Sequence, residues 1–356
     1  MNVRVYPSQL NGELNIPASK SLAHRLLIAQ AFLNPEISLD FELKSEDLQA
    51  TQSCINAIKN AGLLDCKESG TSLRFMLPIA SALLDEFEIT GSESLKDRPL
   101  EPLIEAMEDN GLEFSSHQLP IKVRGKLKAG KYQVPGNISS QFVSGLLFAK
   151  AIAHIPMDIE IIGELESKDY VDMTDGVISG QIKEIEGDWT QAANYVVANS
   201  LGAQIQCCGL NENSIQGDRR ILEYINKSEI DLSNNPDLAP ILSVLALSRK
   251  GKTSLNHINR LRFKESNRVK AIIELCEAFG GQTIEYEDRL EIIGNGHFEP
   301  CTVNGYNDHR IVMAAAIGAS FAQGSVDIIG AEAVNKSYPD FWEDYKTIGG
   351  RFTCLD

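Results

Sequence analysis

Six times along this chain a short turn rich in Ser, Asn, Asp and Gly runs straight into an apolar helical stretch. The openings are Ala18-Ser19-Lys20-Ser21, Ser69-Gly70-Thr71-Ser72, Asn137-Ile138-Ser139-Ser140-Gln141, Gly187-Asp188-Trp189-Thr190, Asn234-Asn235-Pro236-Asp237 and Tyr306-Asn307-Asp308-His309-Arg310. A helix N-terminus exposes backbone N–H groups and carries a partial positive charge, so it suits anions. Six such ends, several with Lys or Arg beside them, point to a site for small ligands that bear several negative charges.

The apolar stretches constrain the fold further. Phe142–Ala149 and Ile311–Ile317 are hydrophobic nearly all round, a pattern that belongs to helices at the centre of a domain. If all six are central and similarly oriented within each half, their N-termini gather at one end of each domain, and the ligand lies between two such ends. A second repeat overlaps the first. Helical stretches end in Gly and pass into short alternating strands at Ala57–Gly62, Met107–Gly111, Ala198–Gly202, Cys276–Gly281 and Tyr345–Gly350, as a left-handed helix closure requires. Units of this kind, recurring at roughly 50–70 residues, suit an α+β repeat architecture of six units, three per domain. A length of 356 residues also favours two domains. The turn-rich Gly209–Ser214 stretch and a crossing near Ile16-Pro17 divide the chain into a discontinuous domain, residues 1–15 plus 215–356, and an inserted domain, residues 16–214.

The formal charge of −16 argues against a nucleic-acid binder, which needs a basic face. In so acidic a chain, cations clustered at motif positions stand out from background solvation. The seven cysteines include no C-x-x-C and read as small residues of a reducing compartment. Met1–Pro7 has no apolar leader, and no eighteen-residue apolar run occurs, so a cytoplasmic protein without membrane contact is expected.

Three motifs carry charge at helix starts. Ser21 and Arg25 are four apart and share a helix face, with Lys20 at the positive end. Lys264 and Arg268 fall on one face of Arg262–Arg268, with Glu265 one position aside. Asp308-His309-Arg310 opens an otherwise apolar helix. Ammonium, guanidinium and hydroxyl groups in such sets suit phosphate or carboxylate; the first two motifs read equally well as capped helices with solvated charges. Arg249–Thr253 resembles the end of a P-loop, but Ala246 stands where its first Gly belongs, so it reads as a basic turn. The six histidines show no zinc-like spacing, and no nucleophile elbow or dinucleotide fingerprint occurs.

Together these motifs resemble the enolpyruvyltransferase family, and within it the 5-enolpyruvylshikimate-3-phosphate synthases. The similarity runs in one order: Pro17–Ser21, Gly70-Thr71, Asp97-Arg98-Pro99, Ser139–Phe142, Ser167–Asp172, Pro236-Asp237, Lys264–Arg268, Asn307–Arg310 and Lys336–Asp340. The resemblance implies two domains of three βαβαββ-like units, some trimmed here, with buried parallel helices and two chain crossings. It implies transfer of the enolpyruvyl group of phosphoenolpyruvate to the 5-hydroxyl of shikimate 3-phosphate with release of phosphate, by a monomer with no metal and no organic cofactor. On the matching positions, Lys20, Ser21, Arg25, Ser139, Ser140, Gln141, Ser167, Asp237 and Lys264 look like contacts to shikimate 3-phosphate. Lys20, Gly70, Arg98, Gln141, Arg268, Arg310 and Lys336 look like the phosphoenolpyruvate side. Asp237 and Glu265 look like the proton-transfer carboxylates, with Lys20 and Lys336 as further catalytic candidates. The acid/base and phosphoenolpyruvate residues are assigned mainly to the discontinuous domain, the shikimate-phosphate residues to the inserted one.

The chemistry calls for such a set. Two like unit charges 4 Å apart repel by about 4 kcal/mol at an effective dielectric near 20, and the two substrates are both polyanions. A hydroxyl must lose a proton while a methylene carbon gains one, so a base and an acid are needed.

This chain departs from the family pattern in three ways. Glu68 stands two residues before Gly70, where the family usually has Asn, and is expected to pair with Lys20 or Arg74 or to point away. Arg260 stands where Asn is common. The chain is shorter than most members, with losses expected after Leu64, Thr174 and Tyr224. The related UDP-N-acetylglucosamine enolpyruvyltransferases usually carry Lys-Asn near the N-terminus and a loop Cys; here Ser21 follows Lys20 and no Cys lies between Leu84 and Arg98. A non-catalytic anion-binding relative is the other alternative.

Overall fold

The computed structural model describes residues 1–60 and 62–355; Ala61, part of the Ala57–Gly62 helix end, lies outside them. The chain divides into two compact units, Met1–Pro17 with Glu186–Asp356, and Ala18–Ile185. Each has its own hydrophobic core, one built around residues such as Leu242, Ile311 and Phe341, the other around Phe75, Leu103 and Phe142.

All six openings start helices, three in each unit. The inserted unit holds Lys20–Phe32, Gly70–Leu83 and Ser140–Ala153. The other holds Trp189–Ser200, Ala239–Leu247, which a 3-10 turn at Pro236–Leu238 precedes, and His309–Ser320. Short polar caps explain the starts. Ser69, Ser139, Asp188 and Asp308 each accept a backbone N–H from the first turn, which satisfies donors the helix leaves open. Every residue of the Ala239 helix is buried, as is every residue of the His309 helix except Arg310, so these helices are the core rather than its cover.

The sheets reveal the repeat. Leu64–Asp65 runs parallel to Glu86–Thr90, with the Gly70 helix between them in sequence; Ile121–Arg124 and Glu113–Phe114 follow antiparallel. Glu229–Asp231, the Ala239 helix, Lys250–Asn256, Arg289–Asn295 and Gln282–Glu285 repeat this order and these directions. A third four-stranded sheet pairs Thr302–Asn304 with Val326–Ile329 in parallel and completes itself with Asn2–Tyr6 and Arg351–Cys354. Two further crossovers keep only the parallel pair: Gly130–Pro135 with Met157–Ile162, and Asn11–Asn15 with Gln204–Cys208. Among the described residues the Lys20 helix has no sheet of its own.

The last pair corrects the expected boundary. Asn11–Asn15 and Gln204–Cys208 hydrogen-bond in register, and the Trp189 helix precedes the second of them, so all three belong to one β-α-β crossover. The inserted unit is threaded into that crossover after the first strand, and the chain returns at Glu186. Gly209–Ser214 is therefore an interior turn of the discontinuous unit, where the Gly187 N–H bonds Gly209 O at 2.9 Å. The basic Arg249–Thr253 stretch joins the Ala239 helix to its strand and forms no phosphate loop.

Candidate functional site

In the inserted unit the three openings meet through side chains. Gln141, in the first turn of the Ser140 helix, donates from Nε2 to Thr71 Oγ1 at 2.8 Å and accepts from Arg74 Nη1 at 2.9 Å. Arg74 also bonds the Pro99 carbonyl, 3.0 Å from Nη2. Gly70 lies against two guanidinium groups; a Cβ there would sit 2.7 Å from Arg98 Nη1 and 3.3 Å from Arg74 Nη1, so only a glycine permits this approach. Lys20 Nζ pairs with Asp47 Oδ2 at 2.7 Å, and the Asp47 carbonyl lies 3.3 Å from Ser72 Oγ, which brings the Lys20 and Gly70 openings together. Ser139 caps its helix, with Ser140 buried beside it. Lys20, Gly70, Arg98, Ser139, Ser140 and Gln141 thus gather at the three helix starts of one unit.

Arg25 behaves differently from the reading of its spacing. Its side chain turns into the protein, where Nε donates to Thr174 Oγ1 at 2.8 Å, Nη1 to Ser21 O at 2.7 Å and Nη2 to Tyr170 O at 2.8 Å. The guanidinium also stacks 5.2 Å from the Phe75 ring centroid. Burial pushes its pKa down to about 10, against a small opposing pull from Tyr170. Three of its five donors are spoken for, so Arg25 anchors the Tyr170–Thr174 turn and can offer a ligand at most the remainder. Ser167 starts that helix in the left-handed region at φ 55°, a strained conformation for a residue with a Cβ.

In the discontinuous unit a denser cluster forms. Asp237 Oδ1 lies 2.8 Å from Arg268 Nη1 and 3.4 Å from Lys264 Nζ, and Oδ2 lies 3.1 Å from Arg310 Nη2. Arg268 is fully buried and also meets Glu265 Oε2 at 2.5 Å and Asp308 Oδ2 at 2.8 Å. Asp308 completes the arrangement as cap of the His309 helix, accepting from the Arg310 N–H at 3.0 Å and from Ser266 Oγ at 3.1 Å. Lys336 Nζ donates to the Asn307 carbonyl at 2.7 Å, just after two consecutive left-handed residues, Tyr306 and Asn307. Lys264 and Arg268 do not share a helix face as their spacing suggests. Asn259–Phe263 is a 3-10 turn, Lys264 is extended, and the helix begins at Arg268; the two cations converge because both face Asp237.

The electrostatics follow from crowding. Burial would raise the Asp237 carboxyl, but Arg310, Lys264 and Arg268 together hold it well below its ordinary range. Burial, helped by Arg260 and Arg268, pushes Lys264 down to about 8, against the pull of Asp237 and Glu265. Burial and the neighbouring Asp237 raise Asp218, which accepts from Thr190 Oγ1 and from Asn235 Nδ2. Asp237 and Glu265 keep 21% and 18% of their side chains exposed, so each can reach a ligand while paired.

Sequence reading missed Asp47, Thr174 and Asp218, each of which meets its partner across a long separation. Asp47 carried a weak signal, since it is an acidic residue in the first turn of Glu46–Asn60. Among the described residues no group of three or more His, Cys, Asp or Glu is placed to hold a metal ion, and no helix is long and apolar enough to cross a membrane.

Comparison with known proteins decides the family. A family model described as EPSP synthase (3-phosphoshikimate 1-carboxyvinyltransferase) matches residues 52–181 and 223–345. The chain belongs to the EPSP synthase family. Among relatives, the 3-phosphoshikimate 1-carboxyvinyltransferase of Clostridium kluyveri is 37% identical, with 98% of this chain and 97% of that protein covered. That of Clostridium novyi is 34% identical over 427 residues, covering 98% of each; an alignment longer than the 356 residues here means that the relative carries insertions this chain lacks. EPSP synthase from Acinetobacter baumannii superposes with a TM-score of 0.75 at 20% identity, covering 99% of this chain and 100% of that one. The enolpyruvyl transferase NikO from Streptomyces tendae gives 0.68 at 12% identity, covering 99% and 98%. Both structures share the two-unit repeat fold. The EPSP synthase assignment rests on the sequence matches, and the fold agrees with it.

Proposed function

We propose that the protein transfers the enolpyruvyl group of phosphoenolpyruvate to the 5-hydroxyl of shikimate 3-phosphate, releasing phosphate, by addition and then elimination. The observation that carries this reading is Asp237, a partly exposed carboxylate held among Arg268, Arg310 and Lys264. In the resting protein these cations make Asp237 a weak base. Anionic substrates bring negative charge beside it, which raises its pKa toward the range where a base is effective. Asp237 then takes the 5-hydroxyl proton, and Glu265 delivers a proton to the methylene carbon of phosphoenolpyruvate, with Lys20 and Lys336 as alternative donors. The oxygen adds to the central carbon; loss of a methyl proton and departure of phosphate restore the double bond.

Arg98, Arg310, Lys336 and Gly70 are assigned to phosphoenolpyruvate, with Gln141 and Lys20 shared between the substrates. Ser139, Ser140, Ser167, Ser21 and Lys264 are assigned to shikimate 3-phosphate. Arg25 serves that side mainly by fixing the Tyr170–Thr174 turn, and Arg268 serves the other by holding Asp237, Glu265 and Asp308. We take the protein to work as a cytoplasmic monomer, which sedimentation of the purified chain would test.

The deciding experiment is phosphate release with both substrates, omitting each in turn. Release that requires both is expected. Asp237→Ala should lose about 10²–10⁴ in turnover, and a variant keeping more than about a tenth of normal turnover removes Asp237 from the base role.

A further inference from the structure

A row of buried hydroxyls joins the Lys20 helix to the start of the Gly70 helix. His24 Nδ1 lies 2.7 Å from Thr51 Oγ1, Thr51 Oγ1 lies 2.7 Å from Ser72 Oγ, and Ser72 Oγ donates to Ser69 Oγ at 2.7 Å. None of the four residues is more than 1% exposed. His24 and Thr51 belong to no motif that the function has used.

The protons in this row can be ordered. Ser69 Oγ already accepts the Ser72 backbone N–H at 3.1 Å as the helix cap. Ser72 Oγ faces two acceptors, the Asp47 carbonyl at 3.3 Å and Ser69 Oγ at 2.7 Å. Its one hydroxyl proton goes to the nearer Ser69, so the proton between Thr51 and Ser72 comes from Thr51. Thr51 must then accept from His24, which places the imidazole proton on Nδ1. The rest of the histidine agrees. Burial, with Lys20 and Arg25 nearby, keeps His24 neutral far below its ordinary pKa. Its Nε2 is buried with no hydrogen-bond partner among the described residues, which a bare acceptor nitrogen tolerates better than a buried N–H. At the other end Ser69 Oγ accepts twice, and no other described residue receives its own proton.

We propose that this one-way relay holds the Ser69 hydroxyl as a donor to the anion bound at the Gly70 opening beside Arg98, making Ser69 a binding residue and His24 and Thr51 positioning residues. The assignment rests on the reading that this opening takes phosphoenolpyruvate. Ser69 adjoins Gly70, whose backbone already lies against the Arg98 and Arg74 guanidinium groups. A charge-assisted O–H bond there adds to a cationic seat without adding another charge.

Thr51→Val breaks the relay without touching the cap, and Thr51→Ser keeps the hydroxyl. With the full chain and both substrates, Thr51→Val should raise KM for phosphoenolpyruvate about tenfold, the worth of one charge-assisted hydrogen bond. KM for shikimate 3-phosphate should stay within about twofold, and Thr51→Ser should restore the first value to within about twofold of the parent. An unchanged KM for phosphoenolpyruvate, or an equal rise in both constants, overturns the proposal in favour of a structural role. Ring-nitrogen NMR of the parent protein provides a readout that does not depend on turnover: His24 is expected in the Nδ1–H form, and an Nε2–H form overturns the relay. Should the parent release no phosphate with both substrates, the substrate reading fails, and with it the Ser69 assignment, while the NMR result still decides the proton order.

Discussion

Asp308→Asn removes one negative charge from beside a guanidinium that water does not reach. Asp308 and Arg268 are both fully buried, with Nε 2.8 Å from Oδ2. Removing one partner of a buried pair costs about 3–5 kcal/mol, mostly because the other charge is left unbalanced. Arg268 would keep Asp237 and Glu265, so the lower end applies, about 3 kcal/mol. Asp308→Ala also deletes the cap on the Arg310 N–H, adding about 1 kcal/mol. The assay is urea or thermal unfolding followed by tryptophan fluorescence. The chain has two tryptophans, Trp189 and Trp342, and both lie in the discontinuous unit, so the signal reports the unit that holds Asp308. At roughly 2–4 °C per kcal/mol for a unit of this size, Asn lowers the midpoint by about 6–12 °C and Ala by about 8–16 °C. An Asn variant within about 1 kcal/mol of the parent refutes the reasoning, because Glu265 and Asp237 would then suffice to balance Arg268.

Three further outcomes follow from the geometry. Gly70→Ala places a methyl group 2.7 Å from Arg98 Nη1; the side chain can swing aside, so stability should hold while KM for phosphoenolpyruvate rises by about tenfold or more, and an unchanged KM in steady-state kinetics would remove Arg98 from that seat. Lys264, pushed down to about 8, should give turnover an alkaline limb near that pH, which Lys264→Arg should move upward; a limb that stays put belongs to another group. The same lysine acts on stability in the opposite sense: in the unfolded chain it binds the proton up to its ordinary value of 10.5, so its unfavourable contribution is full below about 8 and fades as pH rises toward 10.5. Thr174→Val takes the acceptor from buried Arg25 Nε and should cost about 1–3 kcal/mol of stability by circular dichroism melts, whereas a loss of a few tenths would mean that Ser21 O and Tyr170 O hold the guanidinium alone.

What could be read in the sequence was local. Ser69, Ser139, Asp188 and Asp308 announce helix starts because a cap and the apolar run it serves lie within a few residues. The glycines after Ser200 and Ala278 are legible for the same reason, with Gly202 and Gly280 both left-handed. The family resemblance then supplied roles that spacing could not. Partnerships across the chain were hidden: Lys20 with Asp47, Arg25 with Thr174, and Arg268 with Asp308 are joined only by folding. The boundary was misplaced for the same reason, because the strand that fixes it, Asn11–Asn15, finds its neighbour at Gln204–Cys208. Lys264 and Arg268 show the reverse error, where four-residue spacing suggested a helix that starts only at Arg268.

Threading one unit into a split crossover dictates the order in which a growing chain can fold. Ala18–Ile185 has every strand partner within itself and can close as soon as it leaves the ribosome. Asn11–Asn15 must wait for Gln204–Cys208, and Asn2–Tyr6 for Val326–Ile329 and Arg351–Cys354. At about 5–20 residues per second, the first strand made is among the last to be paired, and for many seconds it trails as an open edge. The polar residues along it, Asn2, Arg4 and Tyr6, alternate with Val3 and Val5, which gives the waiting strand one face compatible with water. Nascent chains stalled before Arg351 would therefore carry a finished inserted unit, while the sheet that holds Asn2–Tyr6 would still lack its Arg351–Cys354 strand.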